Sequence, residues 1–299
     1  QRQCILSFTT QVPGRPSMAE RAGIVLEFEN NPEADRKRRQ KDLLLKAHEQ
    51  LAQHWHALLL NDAAGELARA YLKARGITEA AVKDFRMGFA PPSWEDTVNW
   101  AQAQKHDRQL MEQAGLVASK EGHFYGRFRN RLMFPINDEL GRVIGFSGRG
   151  LEADAKTAKY VNSPESLIYQ KSKILYGIYF AKQHISKQNN CFIVEGYTDV
   201  ISLHQAGVEN VVSSSGTSLT LEQIKLINRF TKNITILFDG DAAGLKASFR
   251  SINMILAEGM NVKVVLFPDG EDPDSFAQKC NEEELINYLE ENKKDFIIF

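Results

Sequence analysis

Three apolar runs in the last third of this chain each end in carboxylates. Phe192-Ile193-Val194 leads into Glu195, Ile234 to Phe238 into Asp239-Gly240-Asp241, and Val262 to Phe267 into Asp269, Glu271, Asp272 and Asp274. Oxygen-only donors of this kind suit a hard cation such as Mg²⁺, which is held by one or two carboxylates plus substrate phosphates. The charges also need one: at ~4 Å two carboxylates repel by about 4 kcal/mol at an effective dielectric near 20. Glu195, at the end of a buried run, suits an ion ligand or a general base toward a hydroxyl, and Asp199 lies one helical turn further on. Each acid also has a plainer reading. Asp241, Asp199 and Asp272 can each cap the helix that follows, and Pro273 suits the first position of such a helix. Caps alone account poorly for so many acids at three strand ends, so the set points to a divalent metal site.

The elements that must position these acids are strands of one parallel sheet. Short runs rich in Val and Ile, each followed by a turn, predict strands Phe192–Val194, Val211–Ser213, Ile234–Phe238 and Val262–Phe267. Between them, helical patterns predict helices over Tyr197–Gln205, Leu219–Arg229 and Leu245–Ala257, with another starting near Pro273. Such alternation implies crossover connections, so the strand ends share one edge, where ligands bind. Ser213 to Ser218 reads equally as a phosphate-holding turn or a plain helix cap, and it lacks the Gly-Lys-Ser/Thr of a nucleotide-hydrolysing loop.

The middle of the chain has the opposite charge. From Lys120 to Lys187, 12 Lys and Arg face 6 Asp and Glu, whereas from Gln188 to Phe299 the counts are 9 and 17. A basic region beside an acidic one suits a polyanion held against a metal. Gly122 to Tyr125, Arg131 to Ile136 and Arg142 to Phe146 read as strands, with Asn137 to Gly141 as a hairpin connection. Arg127, Arg129, Arg131, Arg149, Lys159 and Lys171 are spread through this unit, with Tyr160 and Tyr169 between them, a mixture that suits single-stranded nucleic acid. Phe128 reads better as core.

The first third reads as a helical scaffold. Leu44, Leu51, Trp55 and Leu59 recur at helical spacing, Asn61-Asp62 ends that helix, Thr78 caps another, and Trp94 to Gln113 is helical again. Residues 1–38 are expected to be a linker or irregular, with the Arg36-Lys37-Arg38-Arg39 run solvated or at a helix start. The 299 residues carry three cysteines, far apart, which excludes a disulfide framework and a zinc ribbon and makes a reducing cytoplasm the expected compartment. No apolar run is long enough for a membrane span.

Glu195-Gly196-Tyr197-x-Asp199, Asp239-Gly240-Asp241-x-Ala243-Gly244 and Pro268-Asp269-Gly270-Glu271-Asp272-Pro273-Asp274 resemble the TOPRIM motifs of bacterial DNA primases. Tyr71-Leu72-x-x-Arg75-Gly76-Ile77 and Gly88-Phe89-Ala90-Pro91 are similar to the start of the primase catalytic core, and Asn130 to Ile136, Gly141 to Arg149 and Lys159 to Glu165 to its basic subdomain. The resemblance runs from about residue 40 to the end. It implies an α/β chain, α+β overall, divided into a linker (1–38), a core N-terminal subdomain (39–187, helical to about 118 and basic α/β after), a TOPRIM parallel-sheet domain (188–275) and the start of a truncated helical region (276–299).

The activity implied is DNA-templated synthesis of short RNA primers by a nucleotidyltransferase, in the bacterial cytoplasm at replication forks. Two Mg²⁺ ions, with Mn²⁺ as a substitute, would be held among Glu195, Asp239, Asp241, Asp272 and Asp274, with Asp199 and Asp269 accessory. Arg127, Arg129, Arg131, Arg149, Lys159 and Lys171 would hold the single-stranded template and the ribonucleoside triphosphate, and Tyr160, Asn162 and Tyr197 would meet base or ribose. Family members usually carry a zinc ribbon before the core and a helicase-binding region after it. No zinc site is expected in this chain, and contact with the replicative helicase is expected through a region absent here. The alternatives are another TOPRIM enzyme, a nuclease or topoisomerase, and a non-catalytic single-strand-binding fragment.

Overall fold

The computed structural model describes residues 31–151, 158–215, 218–238, 242–268 and 270–296, with backbone alone for 242–249. The chain divides into residues 1–40 and 41–299. The described part of the first unit is the beginning of helix α1 (Pro32–Asn61), where Asn31 Oδ1 accepts the Ala34 amide at 3.1 Å and Pro32 takes the first helical position. The segment expected to be irregular is therefore helical from Pro32, with Arg36 to Arg39 on that helix.

In the second unit, Leu59 of α1 packs with Ala68 and Leu72 of α2 (Glu66–Ala74). Thr78 Oγ1 accepts the Ala81 amide at 3.2 Å and starts α3 (Glu79–Asp84). Then follow β1 (Gly88–Ala90), α4 (Asp96–Ala103), α5 (Arg108–Gln113) and the hairpin β2 (Val117–Lys120) with β3 (His123–Gly126). β1 adds to β4 (Arg131–Asn137), β5 (Val143–Gly150) and β6 (Tyr160–Asn162) in an antiparallel sheet of order β1-β4-β5-β6. Trp55 of α1 is fully buried and meets Phe128 and Phe146 edge-on at 5.8 and 4.9 Å. β1 lies so close that a Cβ at Gly88 would sit 2.8 Å from that of Trp55.

The remainder alternates as the sequence predicts, after an added helix α6 (Ile178–Gln188): β7 (Cys191–Val194), α7 (Tyr197–Gln205), β8 (Val211–Ser213), α8 (Leu221–Asn228), β9 (Asn233–Phe238), α9 (Ala242–Ala257), β10 (Asn261–Leu266), α10 (Pro273–Ala277), α11 (Glu282–Asn292) and β11 (Lys294–Asp295). The sheet order is β8-β7-β9-β10-β11, parallel except for β11 at the edge. Both faces are covered. Phe192 and Val194 of β7 pack into a core shared with Leu132, Phe134 and Leu72, while Ile193 joins Ile236, Ile227 and Ile255 on the other side. Near-continuous apolar strands are what burial on two faces requires.

Two further expectations need correction. The first third is not all helical, because β1 is a three-residue strand held by pairing to β4, too short to show alternation, and β2 ends the region. The stretch Trp94–Gln113 is two helices, since Lys105 takes φ +59° and Asp107 caps α5 through the Leu110 amide at 3.0 Å. Helix α6 starts from Gly177 at φ +85° without a side-chain cap, so it lacks the usual start signal. Among the described residues no helix is long and apolar enough to cross a membrane.

Candidate active site

The parallel sheet reverses its order at β7. From β7 the chain passes through α7 to β8 on one side, then places β9 on the other, with Ile193 opposite Ile236. The carboxyl ends of β7 and β9 therefore flank a topological switch point, where open sheets of this kind bind ligands. Glu195 is the first residue after β7. It is exposed, and its carboxylate has no partner among the described residues. Its backbone is fixed from the neighbouring strand: Ser213 Oγ donates to the Glu195 carbonyl at 2.6 Å and accepts the Ser215 amide at 2.9 Å. Ser213 thus steadies the rim on its β8 side through its hydroxyl.

Several other acids have structural work. Asp199 folds back onto the Gly196 amide at 2.8 Å, starting α7, and a Cβ at Gly196 would lie 2.9 Å from that carboxylate. Asp272 caps α10: Oδ1 accepts the Ser275 amide at 2.6 Å, and Ser275 Oγ accepts the Asp272 amide at 3.0 Å. Asp274 is 1% exposed. Its Oδ2 accepts Arg75 Nη1 at 2.6 Å, and its Oδ1 accepts Ser202 Oγ at 2.5 Å and Gln278 Nε2 at 2.8 Å. Its carboxylate is thus turned into the protein, a departure from the ligand role expected of it. Glu271 is held below the usual carboxylate range by hydrogen bonds from Lys279 and Ser275. Asp239, Asp241 and Asp269 lie outside the described residues. Among the described residues no three His, Cys, Asp or Glu gather to hold an ion. Glu195, exposed just after β7, offers carboxylate oxygens, a chemistry that fits a hard divalent cation.

The basic residues separate into two kinds. Arg149 donates to the Tyr160 hydroxyl at 2.9 Å, with its guanidinium 4.9 Å from the Tyr71 ring centre and 5.4 Å from that of Tyr160. The Arg75 guanidinium also lies over Tyr71, 5.6 Å from its ring centre. Burial raises the Tyr71 phenol above its ordinary value, against the pull of Arg149 and Arg75. Lys159 is exposed beside Tyr160. Lys171, Asn162, Ser214 and Ser215 line a small pocket next to the Ser213 turn. Arg129 stacks on the half-exposed Trp94, and Arg127 is exposed nearby.

Arg131 and Tyr197 depart from expectation. The Arg131 side chain is buried and donates to the carbonyls of Gly148 and Ala158, both at 3.0 Å, so it braces β5 against the segment before β6. Tyr197 is 3% exposed and its hydroxyl donates to Asn162 Oδ1 at 3.0 Å. It supports Asn162 from beneath and presents no face to a base. Phe128 is core, as expected. Tyr71, Arg75 and Ser202 were not singled out from the sequence as site residues. An Arg closing a helix before Gly76 reads as an ordinary terminus, and nothing local marks a serine as a partner of a distant acid.

Comparison with known proteins agrees with this layout. The sequence model of the family described as DNA primase catalytic core, N-terminal domain, matches residues 55–182, and a Toprim-like model matches residues 192–277. A DNA primase of Halalkalibacterium halodurans is 41% identical over 290 residues, covering 96% of this chain and 47% of that protein. The structure of the DnaG primase catalytic domain bound to ssDNA superposes with a TM-score of 0.78 at 36% identity, covering 86% of this chain and 83% of that one. The E. coli primase catalytic core gives a TM-score of 0.77 at 38% identity, covering 84% and 80%. The chain spans about half the length of the full-length relatives it matches.

Proposed function

Because this chain belongs to the DnaG-type DNA primase family and carries its catalytic core, we propose that it synthesises short RNA primers on single-stranded DNA by metal-dependent nucleotidyl transfer. The observation that carries the reading is Glu195, exposed and without a partner among the described residues, at the switch point beside the strand that runs into Asp239-Gly240-Asp241. Glu195, Asp239 and Asp241 would hold two Mg²⁺ ions, or Mn²⁺ in their place, with Asp269 and Asp272 nearby and Asp199 supporting the loop. Bound there, the ions would favour attack by a 3′-hydroxyl and stabilise the departing pyrophosphate.

The rest falls to this chain's own side chains. The 3′-oxygen of one nucleotide bonds to the α-phosphorus of the next as the bond to the β-phosphate bridging oxygen breaks. The hydroxyl proton passes to Glu195 or to a water that it orients. Arg149, Lys159 and Lys171 hold the triphosphate, and Tyr160 and Asn162 meet the ribose or base from a surface that Tyr197 keeps in place. Arg127 and Arg129, with Trp94, hold template phosphates and bases along the outer face.

The test is incubation with single-stranded template, labelled ribonucleoside triphosphates and Mg²⁺, with product sizing. Short RNA that depends on template, triphosphate and metal supports the reading. Degradation of a labelled oligonucleotide with Mg²⁺ and no triphosphate would make the chain a nuclease. Binding without product in either Mg²⁺ or Mn²⁺ would make it a binding fragment.

A further inference from the structure

Asp274 and Arg75 are 199 residues apart in sequence, yet they form a short ion pair with its carboxylate almost wholly buried. We propose that the pair is a latch: Arg75 and Asp274 are positioning residues that fix the start of α10, and with it Glu271 and Asp272 just before it, against the basic half of the site. The proposal rests on the primase reading for its functional consequence and on the contacts below for its structural one.

Three features carry it. The Asp274 carboxylate takes three hydrogen bonds, from Arg75 on α2's C-terminal cap, from Ser202 on α7 and from Gln278 just after α10. A group so engaged joins three elements, and stripping one partner from a buried pair leaves an uncompensated charge. The turn bearing Arg75 is docked independently: Gln205 of α7 donates to the Gly76 carbonyl at 2.9 Å and accepts the Thr78 amide at 3.1 Å. The turn after Arg75 is thus anchored by its backbone and Arg75 by its head group, as a strut must be. Finally, the strut does not end at Arg75. Its guanidinium packs over Tyr71, Tyr71 meets Arg149, and Arg149 bonds Tyr160. One continuous set of packed groups therefore runs from the start of α10 to the strand carrying Tyr160 and Asn162. Asp272, two residues before Asp274, caps the helix that the latch holds, so its orientation follows that of α10.

The alternatives give different results. If Asp274 were an ion ligand in its own right, Asp274→Asn would abolish synthesis without loosening α10. If Arg75 held template phosphate, Arg75→Ala would weaken binding of a single-stranded oligonucleotide. The experiment compares Arg75→Ala, Asp274→Asn, their double variant and Arg75→Lys. It measures amide hydrogen exchange over residues 274–278, oligonucleotide affinity and dinucleotide synthesis at saturating Mg²⁺.

The latch predicts faster exchange in both single variants, oligonucleotide affinity within about twofold of the parent, and synthesis reduced about a hundredfold in each, the scale of a misplacement near 1 Å. The double variant should be no worse than the poorer single one, as expected of two residues acting as one unit. Arg75→Lys should recover synthesis to within about threefold, since a single N–H contacts the carboxylate and no bidentate fork is lost. Additive losses in the double variant, unchanged exchange, or weakened oligonucleotide binding in Arg75→Ala would each overturn the latch. A parent protein that makes no product would overturn the primase reading instead, and the exchange measurements would still decide the latch.

Discussion

The hydroxyl of Ser213, at the end of β8, donates a 2.6 Å hydrogen bond to the main-chain carbonyl of Glu195, at the end of β7. Two neighbouring strands of the sheet are thereby tied at the rim, from the last paired position of β8, Ser213, to the residue just after the last paired position of β7, Val194. The carbonyl of the residue proposed to bind metal thus has its partner inside the protein, and the carboxylate is left to face the crevice.

Ser213→Ala removes that tie and also the acceptor of the Ser215 amide. A lost hydrogen bond at a buried position costs about 1–3 kcal/mol when its partner is left unsatisfied. Urea unfolding should register a loss in that range, and synthesis should fall by more than the stability change explains, because Glu195 loses its fixed backbone. Parental synthesis rates in a folded Ser213→Ala protein would show that the tie does not set the rim.

Arg149 lies against both Tyr71 and Tyr160. Arg149→Gln should weaken triphosphate or single-strand binding and reduce the slope of log affinity against log salt by about 1, the signature of one lost phosphate contact. Arg131→Gln should instead lower stability, since its guanidinium serves two backbone carbonyls. Affinity measured at several salt concentrations, alongside melting curves, separates the two arginines.

His48 gives a pH dependence unrelated to catalysis. It is fully buried on α1, stacked against Phe146 at 5.7 Å, with Nδ1 bonded to the Leu44 carbonyl at 2.8 Å. Desolvation lowers its pKa to about 4. The unfolded chain therefore binds a proton between that value and the ordinary 6.5 while the folded one does not, so stability is present above 6.5 and is lost as pH falls toward 4. The loss at the lower limit is about 3 kcal/mol. His48→Leu should flatten the difference in unfolding free energy between pH 7 and pH 5 relative to the parent. An equally steep profile in the variant would assign the acid sensitivity to other groups.

The parts of this structure that were legible in the sequence are those set by local periodicity. Helix Tyr197–Gln205 and strand Val211–Ser213 lie where they were predicted, because apolar spacing and turn residues determine them. β1 was not legible: three residues show no period, and only pairing to β4 makes them a strand. The resemblance pointed to the acids, but their individual duties depend on distant partners. Asp274 meets an arginine 199 residues away in sequence, and Asp199 is taken by its own helix start. Arg131 was taken as a surface cation although it opens a strand whose next five residues are all buried, a pattern that favoured an inward side chain.

The central claim is that Glu195 at the β7–β9 switch point serves metal-dependent nucleotidyl transfer, and Glu195→Gln tests it most directly. Template-dependent dinucleotide synthesis should be measured across a Mg²⁺ titration, with a melting curve on the same preparation. The account predicts a loss of at least about a hundredfold at every metal concentration, with a melting temperature equal to or above the parent's, since the exposed carboxylate removed has no partner among the described residues. Synthesis within a few-fold of the parent in the folded variant would contradict it.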